Sequence, residues 1–178
     1  MRAAVLLAVA VLVPLAALVL EHAGNVRISE RHHSHHDTYA VPASFTRSLV
    51  LAMAFMAALG LVLAWLCWEG ALDASFELVL GFTDAFLVTC CALWAALCRY
   101  RVSTFDGCMA VTPLVGRRVW IRYAEIDHLE WAGLRNESGF RNLVVHVEGR
   151  RPVMLLGIVD IEQLIMSIDR FDLLPQSA

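Results

Sequence analysis

The chain has 178 residues, of which 59% are hydrophobic and 17% charged, with a formal net charge of -3. A soluble domain is less apolar and about one quarter charged, so this balance points to a membrane protein. It also excludes binding of nucleic acid through a basic surface, because the Arg residues from Arg99 onward are matched by as many acids and the net charge resides in the first half.

Three apolar runs come first. Residues 3–20 and 49–68 carry no charge, and residues 78–97 carry one, Asp84. Each is close to the roughly 20 residues a helix needs to cross the hydrocarbon core, which predicts three transmembrane helices within a membrane region of residues 1–98. The first run follows a minimal basic region, Arg2, as a secretory signal does. It is longer than the roughly 7–15 apolar residues of a signal core and lacks a clear A-x-A site before Glu21, so a retained span is expected rather than a cleaved one. Pro14 predicts a kink in it. Ala54/Ala58 and Gly60/Ala64 have the spacing that lets helices approach closely. Asp84 has two readings: it reaches water or caps a neighbouring helix, or it serves a proton or ion path, the default suspicion for an intramembrane acid.

Between the first two runs lies a loop, residues 21–47, containing "ISERHHSHHDTY". It sets His32, His33, His35 and His36 beside Asp37. Imidazoles at i,i+3 and i,i+4 spacing suit zinc or another divalent transition metal. The flanking Ser, Asp, Thr and Pro42 instead read as a solvated juxtamembrane loop, the reading the residues favour. Basic residues near the spans set orientation. Arg27, Arg31 and Arg47 lie in this loop and Arg99 and Arg101 follow the third run, whereas residues 69–77 hold only acids. The loop and the C-terminal half are therefore expected in the cytoplasm, with Arg2 alone opposing.

From Arg99 the pattern becomes short strands. "RYRVSTFDGCMAVTP" reads as two strands joined at Asp106-Gly107, a strong hairpin signal. "GRRVWIRY" alternates Val119, Ile121 and Tyr123 against Arg118, Trp120 and Arg122. In "EIDHLEWAG" the spacing of Ile126, Leu129 and Trp131 requires a bulge or a short turn. "RNLVVHVEG" alternates Leu143, Val145 and Val147 with Val144, His146 and Glu148, and a turn at Gly149–Pro152 leads into "VMLLGI". A closing helix over residues 160–173 starts at Asp160 as N-cap with Gln163 three residues on, and Ile161, Leu164, Ile165, Ile168 and Phe171 form one apolar stripe. Residues 99–178 thus predict a small antiparallel β barrel or sandwich capped by a C-terminal α-helix.

This order of elements, with Arg117-Arg118, Ile121, Glu125-Ile126 and then Asp160, Glu162, Leu164 and Ile168, resembles the bacterial pleckstrin-homology-like (PH-like) domains attached to membrane spans. The resemblance covers about residues 99–174. It implies a bent antiparallel barrel capped by a C-terminal helix and leaves the three spans unexplained; those spans and the basic residues beside them predict a multi-pass inner-membrane protein with a cytoplasmic module. It implies no activity, because the fold serves many binding roles. Headgroup binding in eukaryotic relatives of the fold typically uses basic residues around the first hairpin. Here the tip is Phe105-Asp106-Gly107, which is acidic and argues against it. Arg117, Arg118, Arg150 and Arg151 remain candidates to face anionic lipid or a partner, each contributing about 1 kcal/mol near a charged leaflet.

No catalytic motif is present, and no enzyme activity or obligatory cofactor is expected. His128 and His146 read as single surface imidazoles. Cys67, Cys90, Cys91, Cys98 and Cys108 read as small buried apolar residues without a CxxC pair. The sequence therefore predicts a membrane protein that presents a module for a protein partner or for self-assembly. A metal-responsive or ion-handling protein built on the His32–His36 cluster is the alternative, and lipid recognition by the Arg pairs is a weaker one.

Overall fold

A computed structural model describes residues 2–28, 37–132 and 141–168, without the side chains of residues 24–28 and 167. The chain divides into two compact units. One comprises residues 1–32 and 43–97 and the other residues 33–42 and 98–178.

The first unit holds α1 (Arg2–Ile28), α2 (Ala43–Trp68) and α3 (Phe76–Arg99). All three are long and apolar enough to span a membrane, and between 17% and 28% of their most apolar windows is buried within the protein. The remainder is an apolar exterior that includes Leu12, Leu51, Phe55 and Phe82, a surface suited to lipid rather than water. The helix runs through Pro14. The hydroxyls of Ser48, Thr83 and Thr89 donate to carbonyls four residues earlier at 2.8, 2.9 and 2.8 Å, so they place no unsatisfied donor in an apolar medium. Ser75 Oγ caps α3 by accepting from Leu78 N–H at 3.3 Å. Glu77 in its first turn and Arg99 in its last complement the helix dipole. Gly70, at φ +73°, closes the end of α2 in the left-handed conformation common just beyond a helix.

Packing in this unit follows an i,i+3/i+4 row on α2, namely Val50, Met53, Ala57, Gly60 and Ala64, all buried. Ala10 and Ala17 of α1 and Leu87 and Trp94 of α3 join Val50, Met53 and Ala57 in one cluster. A Cβ on Gly60 would lie 2.4 Å from Thr83 Oγ1, so the absence of a side chain there lets α2 and α3 meet. Gly60/Ala64 is thus a contact pair, as its spacing allows. Ala58 is exposed and Ala54 only half-buried, because they lie off that row.

The second unit holds two antiparallel sheets and a helix. The first sheet has the order β1 (Thr38–Ala40), β2 (Arg101–Thr104), β3 (Cys108–Thr112) and β4 (Val119–Arg122), and the second has β5 (Ile126–Ala132), β6 (Asn142–Val147) and β7 (Val153–Leu155). One 3-10 turn, Tyr123–Glu125, connects them, and α4 (Ile161–Ile168) follows β7. Val102, Met109, Val111 and Ile121 from the first sheet share one core with Leu129, Leu143, Val145 and Leu155 from the second and Leu164 and Ile165 of α4. Alternation along β4 and β6 turns Ile121, Leu143, Val145 and Val147 into this core, while β2 and β3 bury consecutive residues. Asp160 Oδ1 accepts from Gln163 N–H at 3.0 Å and caps α4. Phe171, expected on the same stripe, lies outside the described residues.

One element departs from expectation. Residues 21–47, expected as a single loop, contain the end of α1, the strand β1 and the start of α2. Thr38, Tyr39 and Ala40 pair with Ser103, Val102 and Arg101. Thr38 Oγ1 and Ser103 Oγ lie 3.2 Å apart, Thr104 N–H donates to Asp37 O at 2.9 Å, and Tyr39 Oη donates to Gln163 O at 3.3 Å. Three residues are too short for periodicity to register, and their partner strand lies far along the chain. A fragment beginning at Arg99 therefore lacks β1 and leaves the edge of β2 open. It is expected to melt lower and to self-associate, whereas the same fragment carrying residues 37–42 on a flexible linker stays monomeric. Size-exclusion chromatography with thermal unfolding checks this.

Tyr100 is buried in the core, and its oxygen accepts from Leu156 N–H at 2.8 Å. Tyr100→Phe leaves that N–H unsatisfied and is expected to cost about 1–3 kcal/mol in urea unfolding. Burial raises the Tyr100 phenol above its ordinary 10.0, more than the Leu156 bond lowers it. A raised folded value means stability is fully present below pH 10 and falls as pH climbs through that value. The Phe variant is expected to lose less stability than the parent between about pH 9 and about pH 12, the region around the phenol's titration, read as the difference in urea midpoints.

Candidate functional site: an aromatic and arginine surface on the β unit

Strand β4 presents alternate residues to the two sides of its sheet. Ile121 is buried and Val119 half-buried, which turns Trp120 outward at 50% exposure. The β2–β3 turn carries Phe105, whose ring lies 5.5 Å from that of Trp120 at 30°. Phe105 N–H donates to Cys108 O at 2.9 Å and fixes the turn. Arg118 Cζ sits 4.9 Å over the Trp120 ring, a cation–π contact worth about 0.5–1 kcal/mol at an exposed site. Arg150, on the β6–β7 turn, donates from Nη1 to Trp120 O at 3.4 Å and pairs with Glu125 at 3.5 Å. Glu125 also meets Arg122 at 3.8 Å. Gly149, at φ +68°, makes the turn that carries Arg150, with Arg150 N–H donating to Val147 O at 3.1 Å.

Two of the four Arg expected to face a partner, Arg118 and Arg150, therefore converge on one tryptophan. Arg117 and Arg151 are exposed beside them in sequence. Trp120 was not singled out by motif, and Phe105 and Glu125 were named only at the hairpin tip and in the order of elements, not as part of this surface. The alternation that put Arg118, Trp120 and Arg122 on one strand face was the available signal, and Phe105 required the fold. Exposed ion pairs such as those of Glu125 add little stability. They do hold Arg150 and Arg122 in place.

In the helical unit, Asp84 is 7% exposed, and neither carboxylate oxygen has a hydrogen-bond partner among the described residues. It caps no neighbouring helix among the described residues. Glu21 does the bridging instead. It accepts from Thr46 Oγ1 of α2 at 3.1 Å and from Trp94 Nε1 of α3 at 3.3 Å, and lies 4.0 Å from Arg47 Nε. Sequence showed only an acid at the end of the first apolar run. His32, His33, His35 and His36 lie outside the described residues. Asp37 is exposed and contributes its carbonyl to Thr104. His128 and His146, read singly, are directly opposed on β5 and β6. The cysteines form no disulfide with one another; four are half-buried and Cys98 is exposed. They are less buried than expected; the four on α2 and α3 lie on helices that leave much of their own surface outward.

Glu21→Ala removes the acceptor of Trp94 and is expected to lower helical stability by about 1–3 kcal/mol, measured by denaturant unfolding in detergent micelles. Asp84→Asn removes a group that pays for burial of its charge without a partner, so the unfolding midpoint is expected to rise in the same assay. A fall would show that the carboxylate carries a stabilising contact.

Comparison with protein-family models, curated proteins and solved structures found no match to this chain.

Proposed function

We propose that this chain is an inner-membrane protein that holds a cytoplasmic PH-like module at the bilayer and binds a protein partner through the Trp120 surface. The observation that carries this reading is the pairing of β1 with β2. Strands of one sheet occupy one compartment, so the chain crosses the bilayer an even number of times between Ala40 and Arg101. The apolar helices α2 and α3 supply those two crossings. Arg27, Arg31, Arg47, Arg99 and Arg101 all flank that shared side, which the preference for basic residues inside assigns to the cytoplasm.

The PH-like reading is supported by an antiparallel four-stranded sheet and a three-stranded sheet followed by a helix packed on their common core. The choice of a protein partner rests on composition. Trp and Arg dominate the energetics of protein interfaces. The acids Asp106 and Glu125 sit among the Arg residues of this surface, which weakens its attraction for an anionic leaflet. No catalytic step is proposed.

Topology is checked by fusion reporters. A fluorescent protein after Ala178 is expected to glow, and alkaline phosphatase inserted after Asp73 is expected to be active. The opposite pair of results overturns the orientation. For the interaction, affinity purification from native membranes is expected to retain a stoichiometric partner, and Trp120→Ala with Arg118→Ala is expected to lose it. Truncating such anchors typically costs about 2 kcal/mol or more each, roughly 30-fold in affinity. Equal recovery with the double variant overturns the assignment of the surface.

A further inference from the structure

We propose that His128, Glu130 and His146 form a binding site for a divalent transition-metal ion, zinc in the first instance. The site arises from the strand register. Ile126 and Leu129 both face the core, although three residues apart they fall on opposite sides of a regular strand. A register shift between Ile126 and His128 resolves this, and it turns both Asp127 and His128 outward. Beyond the shift, His128 pairs directly with His146, and Glu130 stands two residues along on the same outer row.

The two imidazoles stack with ring centroids 4.1 Å apart at 11°. His146 Nε2 lies 3.3 Å from Glu130 Oε2. One ligand atom from each of the three residues falls within 4.8 Å of the others. Zinc bonds of about 2.0 Å place tetrahedral donors about 3.3 Å apart, so closing the site needs only side-chain rotation on a paired backbone. Asp127 Oδ2 lies 2.9 Å from His128 Nδ1. In the tautomer that donates Nδ1–H to this carboxylate, Nε2 carries the lone pair for metal, the carboxylate–histidine arrangement that orients metal-bound imidazoles. Two imidazoles and one carboxylate favour zinc, copper or nickel over magnesium or calcium. Three protein ligands leave a position for water or for a donor from another molecule.

The test uses the full-length protein in detergent, with calorimetric titration of zinc and absorption spectroscopy of bound cobalt(II). A variant in which His32, His33, His35 and His36 are all Ala is the reference. The reference is expected to bind zinc and to give tetrahedral cobalt bands. Adding His128→Ala or His146→Ala is expected to abolish both signals, and Asp127→Asn to weaken zinc binding about 10- to 100-fold, as loss of an orienting carboxylate does. These side chains sit on the outer face of β5 and β6, and a metal-free thermal melt matching the reference shows that each variant is folded. Failure of the reference to bind, or undiminished binding after His128→Ala and His146→Ala together, overturns the proposal. So does unaltered binding in Glu130→Gln combined with either His variant.

Discussion

The pairing of Thr38–Ala40 with Arg101–Ser103 is the constraint on which the rest of this molecule depends. It joins a segment from between the first two helices to a strand that follows the third. The β unit is therefore not a domain appended to a membrane anchor. It is assembled from both ends of the α2–α3 hairpin. A three-residue edge strand contributes few hydrogen bonds, yet it covers β2, and its Tyr39 reaches α4. An exposed edge on β2 would invite pairing with other chains. Because β1 precedes α2 and β2 follows α3 in the chain, the sheet can close only when both ends of the α2–α3 segment come together.

That arrangement gives the exposed surface of the first sheet its character. With β1 covering one edge, β4 is the other edge. Its backbone carbonyl at Trp120 is met by Arg150, and its outward side chain is flanked by Phe105 and Arg118. Charged side chains along an edge discourage indiscriminate strand addition, while an exposed Trp held by neighbours has lost little entropy to lose again on binding. The same residues thus limit one kind of association and favour another. Arg118 and Arg150 are useful because they are held; Arg117 and Arg151 lie one residue away in sequence without those contacts to Trp120.

Legibility in the sequence followed the length and regularity of each signal. Three long apolar runs and the Asp106-Gly107 hairpin carry their structure locally, as does the Asp160 cap, where Oδ1 and the Gln163 N–H sit three residues apart. The spacing of Ile126 and Leu129 even forecast an irregularity in β5. Long-range placement was not legible. β1 has three residues and no periodicity, and its identity rests on a partner 65 residues away. The same holds for His128 and His146. Each is unremarkable on its strand, and only the register after the irregularity sets one against the other. A core that demands two apolar residues at a spacing of three expels an extra residue to the outside, and here that residue is Asp127, next to His128.

The polar residues of the helices sort by how their hydrogen bonds are met. Ser48, Thr83 and Thr89 turn back on their own helix, at little cost in an apolar medium. Glu21 needs other helices, and Thr46 and Trp94 donate to it while Arg47 lies near; it thereby fixes α1 against α2 and α3 in a way that apolar contacts, which tolerate sliding, do not. Asp84 has neither solution among the described residues. Its neighbour Thr83 is the residue that packs on Gly60, so the contact between α2 and α3 needs Thr83 and not the acid. Packing gives no reason for a carboxylate at this point, and a buried charge without a partner opposes folding. Asp84 is thus set apart from Glu21, the half-buried acid among these apolar helices, whose carboxylate is met by donors from two neighbouring helices.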